Sequence, residues 1–210
     1  MGSSLQIYMN TYFWEFKSIM LASYLGIYVL STLSAYLIVP RLVQVIEKKT
    51  ILLIAISFAA LIPPIPIILF INNLLPDTGT WNLFYATIPF VYVANTCLSS
   101  SAIVRESMLG DISDEVELES GIGQQGLMFA SSSLIGKLNT GLGILMAGIT
   151  LEFINFPQGT DVTPSAENIF NLAMVQGPLV AILMIIPFGI FSLYKIDRYR
   201  HQQILAKLNH

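Results

Sequence analysis

Lys137 is the residue of this chain whose chemistry most needs a reason. It stands in the run SSSLIGKLNTGLGILMAG, about eleven residues into an apolar stretch long enough to cross a bilayer, and so close to mid-membrane. An ammonium at that depth is costly unless it is paired or wetted, and ionisable residues inside spans are functional by default. Snorkelling relieves a lysine near a helix end, not a central one. Ser133 and Thr140 share its helical face with Gly141, while Gly136, Thr140, Gly143 and Ala147 form a small-residue stripe that admits a neighbouring backbone. Packing alone explains the glycines but not the charge. The segment reads as the wall of a wet cavity, with Lys137 holding a ligand, a bridging carboxylate or a closed gate.

Two other runs carry polar groups at helical spacing. Tyr24, Tyr28 and Ser31 recur on one, and Tyr85, Tyr92, Asn95 and Thr96 on another. Aromatic faces with a few hydroxyls and an amide suit a polar organic solute gripped weakly, although ordinary core packing, with each tyrosine hydroxyl satisfied once, is the simpler reading. Asp111, Asp114, Glu115, Glu117 and Glu119 form an acidic segment. As a calcium loop starting at Asp111 it fails, with Val116 where glycine is required and Ile122 where glutamate is required. It reads as a solvated, partly helical charge run. GIGQQG, from Gly121 to Gly126, fits a dinucleotide fingerprint in letters only, because it follows an acidic segment and opens an apolar run instead of joining a strand to a soluble helix. No zinc spacing, nucleophile elbow or Walker loop is present, so no metal site, resident cofactor or enzymatic activity is expected.

The elements that must position these residues are membrane spans. The chain of 210 residues is 54% hydrophobic and only 11% charged, with a mean hydropathy of +0.69. A soluble domain is about a quarter charged. The apolar residues fall in runs of about twenty, the length that crosses hydrocarbon as a helix. Complete spans are expected over Ser18 to Pro40, Ile51 to Ile71, Trp81 to Val104, Gly126 to Thr150 and Phe170 to Tyr194, with Leu5 to Phe16 reading as the end of a further helix. Pro63, Pro64 and Pro66 should kink or break the second span, and Pro89 lies inside the third. The lone Cys97 allows no disulfide within the chain.

Arg41, Lys48, Lys49, Arg105, Lys195, Arg198, Arg200 and Lys207 fall on one side of these spans, whereas the loops Asn72 to Thr80 and Leu151 to Asn168 hold acids but no Lys or Arg. The basic side is therefore expected to be cytoplasmic, with the tail 195–210 inside, Trp14 and Trp81 at the outer interface, and Tyr194 and Tyr199 at the inner one.

SMLGDISDEVELESGIGQQG leading into the span of Lys137, with the opening NTYFWEF and the tail YKIDRYRHQQIL, resembles the glycoside-pentoside-hexuronide cation symporters of the major facilitator superfamily, the melibiose-permease-like family. The resemblance places Asp111, Asp114, Gly121 and Gly126 in that family's cytoplasmic motif and Lys137 in its eleventh helix. The family's basic residues between the two glycines are replaced here by Gln124 and Gln125. The likeness implies an all-α, polytopic half of the major facilitator fold: residues 1–194 as the carboxy-terminal six-helix half with its first helix truncated, and 195–210 as a cytoplasmic tail.

The implied function is sodium- or proton-coupled symport of a sugar or related small polar solute, in the cell membrane. The implied partners are the lipid bilayer and a missing amino-terminal six-helix half that holds the cation site. No nucleic acid is expected. A non-transporting membrane subunit, using Lys137 to pair with a partner's buried acid, is the alternative, and an intramembrane enzyme with Lys137 as base ranks last because no nucleophile is identifiable.

Overall fold

The computed structural model describes residues 2–157, 164–183, 186 and 189–190, and every regular element among them is helical. In chain order these are α1 (Gly2–Tyr8), the π-helical turn π1 (Met9–Phe13), α2 (Ser18–Val45), α3 (Lys48–Leu61), α4 (Pro64–Ile71), α5 (Trp81–Ser120), α6 (Gln125–Phe153), α7 (Ala166–Met174), a second π-helical turn π2 (Val175–Leu179) and α8 (Val180–Leu183). Four spans, Ser18–Val45, Lys48–Ile71, Trp81–Ser120 and Gln125–Phe153, are long and apolar enough to cross a membrane. The expected all-α polytopic architecture is therefore present. The fifth expected span is described only in its first part, and Asp161, Tyr194, Tyr199 and the tail 195–210 lie outside the described residues.

The chain runs back and forth between two ends. At one end the link after π1 meets the link between α4 and α5: the Gly79 N–H donates to the Trp14 carbonyl at 2.9 Å, and the Thr78 hydroxyl to the Glu15 carboxylate at 2.8 Å. Both links turn sharply, Glu15 at φ 53° and Gly79 at φ 71°. The other end carries Lys48, Asp111 and Gly121. Each end has its own core. Phe13, Trp14, Phe16, Tyr24 and Phe84 belong to the first, and Val39, Leu52, Val104 and Met108 to the second. α5 is the central rod, packed against both α2 and α3.

Several boundaries differ from those expected. α2 does not stop at Pro40, which lies inside the helix. Proline removes one backbone donor and displaces the carbonyl four residues back, here that of Tyr36, yet the helix continues to Val45, with the Arg41 guanidinium donating to the Leu37 carbonyl at 2.6 Å. The prolines of the second span do break it, with α3 ending at Leu61 and α4 restarting with Pro64 in its first turn, where the missing N–H costs nothing.

The largest difference is α5. Its 40 residues make a rod of about 60 Å, twice the hydrocarbon thickness, so the acidic segment continues the third span as a helix. No proline interrupts it there, and the rod ends where Gly121 turns left-handed at φ 70°.

Trp14 also differs. It is 5% exposed, edge-on to Phe13 and Phe70 with ring centroids 4.6 and 5.5 Å away, and so packs inside the bundle. Trp81 is 43% exposed, as an interfacial ring should be. Lys17 sits beside Trp14, a cation at the end that the loop composition reads as cation-poor.

Candidate functional site

The polar groups of α2 and α5 meet along one seam. Thr87 gives its hydroxyl proton to the Phe84 carbonyl, so the 2.8 Å contact between Tyr24 and Thr87 is a bond donated by the tyrosine. By the same reasoning Ser34 donates to the Leu30 carbonyl and accepts from Tyr92 at 2.5 Å. Ser31 donates to the Tyr28 carbonyl and accepts from the Asn95 amide at 2.5 Å. Thr32 and Ser99 lie 3.2 Å apart. Each hydroxyl thus spends its proton on its own helix or on its neighbour, which is how such groups are tolerated in hydrocarbon. The Asn95 amide nitrogen faces three oxygens, those of Ser31, Tyr28 and Thr32, while its side-chain carbonyl accepts no bond among the described residues.

Beside the seam lies an open groove of about 360 Å³, lined by Thr32, Tyr36, Ser99, Ala102, Ile103 and Glu106. That volume is within the range of small-molecule sites. The groove shares Thr32 and Ser99 with the seam, but its walls are mostly apolar, and its end toward the Lys48 side carries the Glu106 carboxylate.

α6 stands apart. Only 11% of its apolar window is buried, against 28% for Lys48–Ile71. It is held near its start, where the Gln125 amide donates to Asp114 at 3.2 Å, and near its finish, where Ala147 and Leu151 join the first core. Between these points Ser133, Lys137 and Thr140 are uncovered by the rest of the chain, and a Cβ at Gly126, Gly136 or Gly141 would meet nothing within 4 Å. Lys137 has no hydrogen bond or ion pair among the described residues, and Thr140 spends its hydroxyl on the Gly136 carbonyl at 3.0 Å.

The sequence-derived site residues therefore fall into three places. Tyr24, Tyr28 and Asn95 come together at the seam, with Tyr24 and Tyr28 stacked at 6.2 Å. Lys137, Ser133 and Thr140 form a separate face on α6. Asp111, Asp114, Gly121 and Gly126 lie at the far end, where Lys48 donates to both oxygens of Asp111 at 2.7 Å. Tyr85, grouped by spacing with Tyr92 and Asn95, instead turns outward and stacks on Trp81. Sequence reasoning missed Thr32, Ser34, Thr87, Ser99, the partner of Asp111, and the interior amides Gln6, Asn10 and Gln176. For the amides a signal existed, since each interrupts an apolar run. No group of three or more metal-ligating side chains occurs among the described residues.

A family model described as MFS/sugar transport protein matches residues 1–198. The chain belongs to that family. Comparison with curated proteins and with solved structures found no match. As a member of the MFS/sugar transport family the chain is an integral membrane protein of the major facilitator transporter type.

Proposed function

We propose that this MFS/sugar transport protein is the carboxy-terminal half of a melibiose-permease-like symporter, which moves a sugar or related small polar solute together with sodium or a proton. The observation that carries the reading is the seam between α2 and α5 with its adjoining groove: the Asn95 amide lies on the seam, beside Thr32, and the groove is lined by the Thr32 and Ser99 hydroxyls, Tyr36 and the Glu106 carboxylate together with Ala102 and Ile103. Such a surface accepts and donates hydrogen bonds without a fixed charge at its centre, which suits a polyhydroxylated solute held weakly enough to be released. Transporters of this kind place substrate between two helical bundles near the midplane and rock one against the other.

The face of α6 that carries Lys137, Ser133 and Thr140 supports the need for a second bundle. An ammonium left toward lipid is costly, and a facing amino-terminal half would supply water or a carboxylate. On this reading the Lys48 end is cytoplasmic, the Trp14 end is external, and the protein resides in the cell membrane.

The test is uptake of radiolabelled sugars into proteoliposomes. The chain reconstituted alone should match empty vesicles. Co-reconstitution with an amino-terminal half should give uptake that rises with an imposed sodium or proton gradient. Uptake by the chain alone refutes the half-transporter reading, and a stable complex of both halves that transports no tested sugar under either gradient favours the non-transporting subunit.

A further inference from the structure

One face of α5 joins the seam to the groove and runs on toward the Lys48 end. Asn95, Ser99, Ala102 and Glu106 follow one another at four, three and four residues, the spacing of a single helical face. Thr32 and Tyr36 of α2, one turn apart, line the same groove. A solute leaving Asn95 toward that end therefore passes Ser99 and Ala102 and reaches Glu106 last. The carboxylate lies about 6 Å along the rod beyond Ala102 and about 10 Å beyond Ser99.

Among the described residues the lining of the groove carries one formal charge, that of Glu106. The cation that meets it is its chain neighbour: Arg105 Nη2 stands 3.4 Å from Glu106 Oε1, a long contact between side chains 55% and 43% exposed. Adjacent residues of a helix point about 100° apart, so Arg105 reaches round from outside the lining, and an exposed pair at that distance offsets little of the field inside. Other cations of that end are directed elsewhere, the Arg41 guanidinium to the Leu37 carbonyl and Lys48 to Asp111.

Depth allows the charge to persist. Glu106 lies about 37 Å along α5 from Trp81, which is more than the thickness of the hydrocarbon when Trp81 marks the outer interface. The carboxylate thus reaches headgroup water, while Ala102 and Ile103 keep the wall beside it apolar. A low-dielectric wall focuses a charge into the cleft that it lines.

We propose that Glu106 makes this groove a charge filter, which admits neutral and cationic solutes and turns anionic ones away. Among sugars the substrate class is then neutral glycosides and polyols, and hexuronates are excluded: a uronate carboxylate at Ala102 would face a like charge about 6 Å away, with no cation among the described lining to meet it. Glu106 acts by its field, as a specificity-determining residue. The choice among sugars rests on the transporter reading, whereas the charge preference of the groove does not.

The experiment uses the purified chain in nanodiscs of zwitterionic lipid, with Cys97→Ser and, in separate preparations, Ala102→Cys or Ser99→Cys. Rates of reaction with a cationic and an anionic methanethiosulfonate are each divided by the rate with a free thiol in solution. At Ala102→Cys the cationic reagent should be favoured about ten-fold, Glu106→Gln should cut that preference about five-fold, and salt at about 1 M should erase most of it. The bias should be smaller at Ser99→Cys, which is further from the charge. Gln44→Cys, exposed elsewhere at the Lys48 end, should keep its rate ratio when Glu106 is replaced. Equal normalised rates in the groove, a preference that Glu106→Gln leaves intact, or two groove cysteines that neither reagent reaches would each overturn the filter, the last because a groove closed to aqueous ions selects none.

A second arm uses the co-reconstituted transporter. Each neutral glycoside that it carries is compared with the hexuronide of the same ring and aglycone, and the neutral sugar should be taken up about ten-fold faster, with Glu106→Gln narrowing the gap. A hexuronide carried as well as its neutral counterpart, or in its place, overturns the exclusion and leaves the transporter reading standing. Uptake of no sugar at all counts against the transporter reading, and the labelling rates still decide the field of Glu106.

Discussion

Lys48 Nζ stands 2.7 Å from each carboxylate oxygen of Asp111, joining the first residue of α3 to the projecting half of α5 across 63 positions of sequence. Asp111 is 8% exposed, so this is a mostly covered pair that fixes where the α5 extension lies against the bundle. Removing the ammonium leaves a largely desolvated carboxylate with its main cation gone. Lys48→Met should therefore destabilise the chain by about 2 kcal/mol, below the figure for a fully buried pair because Lys48 keeps some access to water. Replacing both, as Lys48→Met with Asp111→Leu, should recover most of that loss. Thermal unfolding in detergent, with a double-mutant cycle, checks it: additive single effects would mean the two groups do not depend on each other.

Asn95 offers a second check, on the seam. Its amide bonds Ser31, so Asn95→Ala removes a donor from a hydroxyl already engaged with its own helix, and the expected loss of stability is about 1 kcal/mol. Transport should suffer more than stability, since the amide carbonyl is the acceptor left open to a solute. In the two-half transporter the variant should raise the apparent KM for uptake while its melting temperature drops only slightly. Equal proportional losses in a Ser34→Ala control, which trims the same seam away from Asn95, would assign Asn95 to packing alone.

The spans, the break at Pro63 to Pro66 and the mid-span place of Lys137 were legible because each has a strong local cause: apolar length, missing donors, and a charge set inside an apolar run; that its face is uncovered by the rest of the chain was not. The α5 extension was not, because DISDEVELES is equally compatible with a solvated loop until α3 packs against it. Thr32, Ser34 and Ser99 were passed over because single hydroxyls in spans usually bond their own helix, and only the meeting of α2 with α5 gives them a shared line. The pairing of Lys48 with Asp111 has no local signal at all. Trp14 was misplaced for a related reason: tryptophan near a span end is expected at the interface, but the rings of Phe13, Phe16 and Phe70 draw this one inside.

The topology makes a third prediction, resting on the clustering of basic residues at the Lys48 end. In a Cys97→Ser background, Asp77→Cys should react with a membrane-impermeant maleimide added to intact cells. Ser120→Cys, exposed at the opposite end, should react only after permeabilisation. The reverse pattern would turn the chain over in the membrane and with it the cytoplasmic placing of Asp111 and Asp114.

Lys137 supplies the last prediction. It lies mid-helix on a face of α6 that the rest of the chain leaves uncovered, among Ser133, Gly136 and Thr140, and has no partner among the described residues. If that face meets the solute cavity of a two-half transporter, Lys137→Ala should abolish coupled uptake. Insertion should be unharmed, because the change removes a charge worth about 3 kcal/mol against insertion at a helix centre. Lys137→Arg should also transport poorly: a planar guanidinium with five donors does not replace a compact ammonium in a shaped site. The control is Ile135→Ala, which trims a side chain 59% exposed on the opposite side of the same helix and should leave uptake near wild type. The measurement is uptake normalised to protein in the membrane. Wild-type uptake by Lys137→Ala would mean that the ammonium reaches water or an incidental partner without serving the solute, and would remove α6 from the transport path.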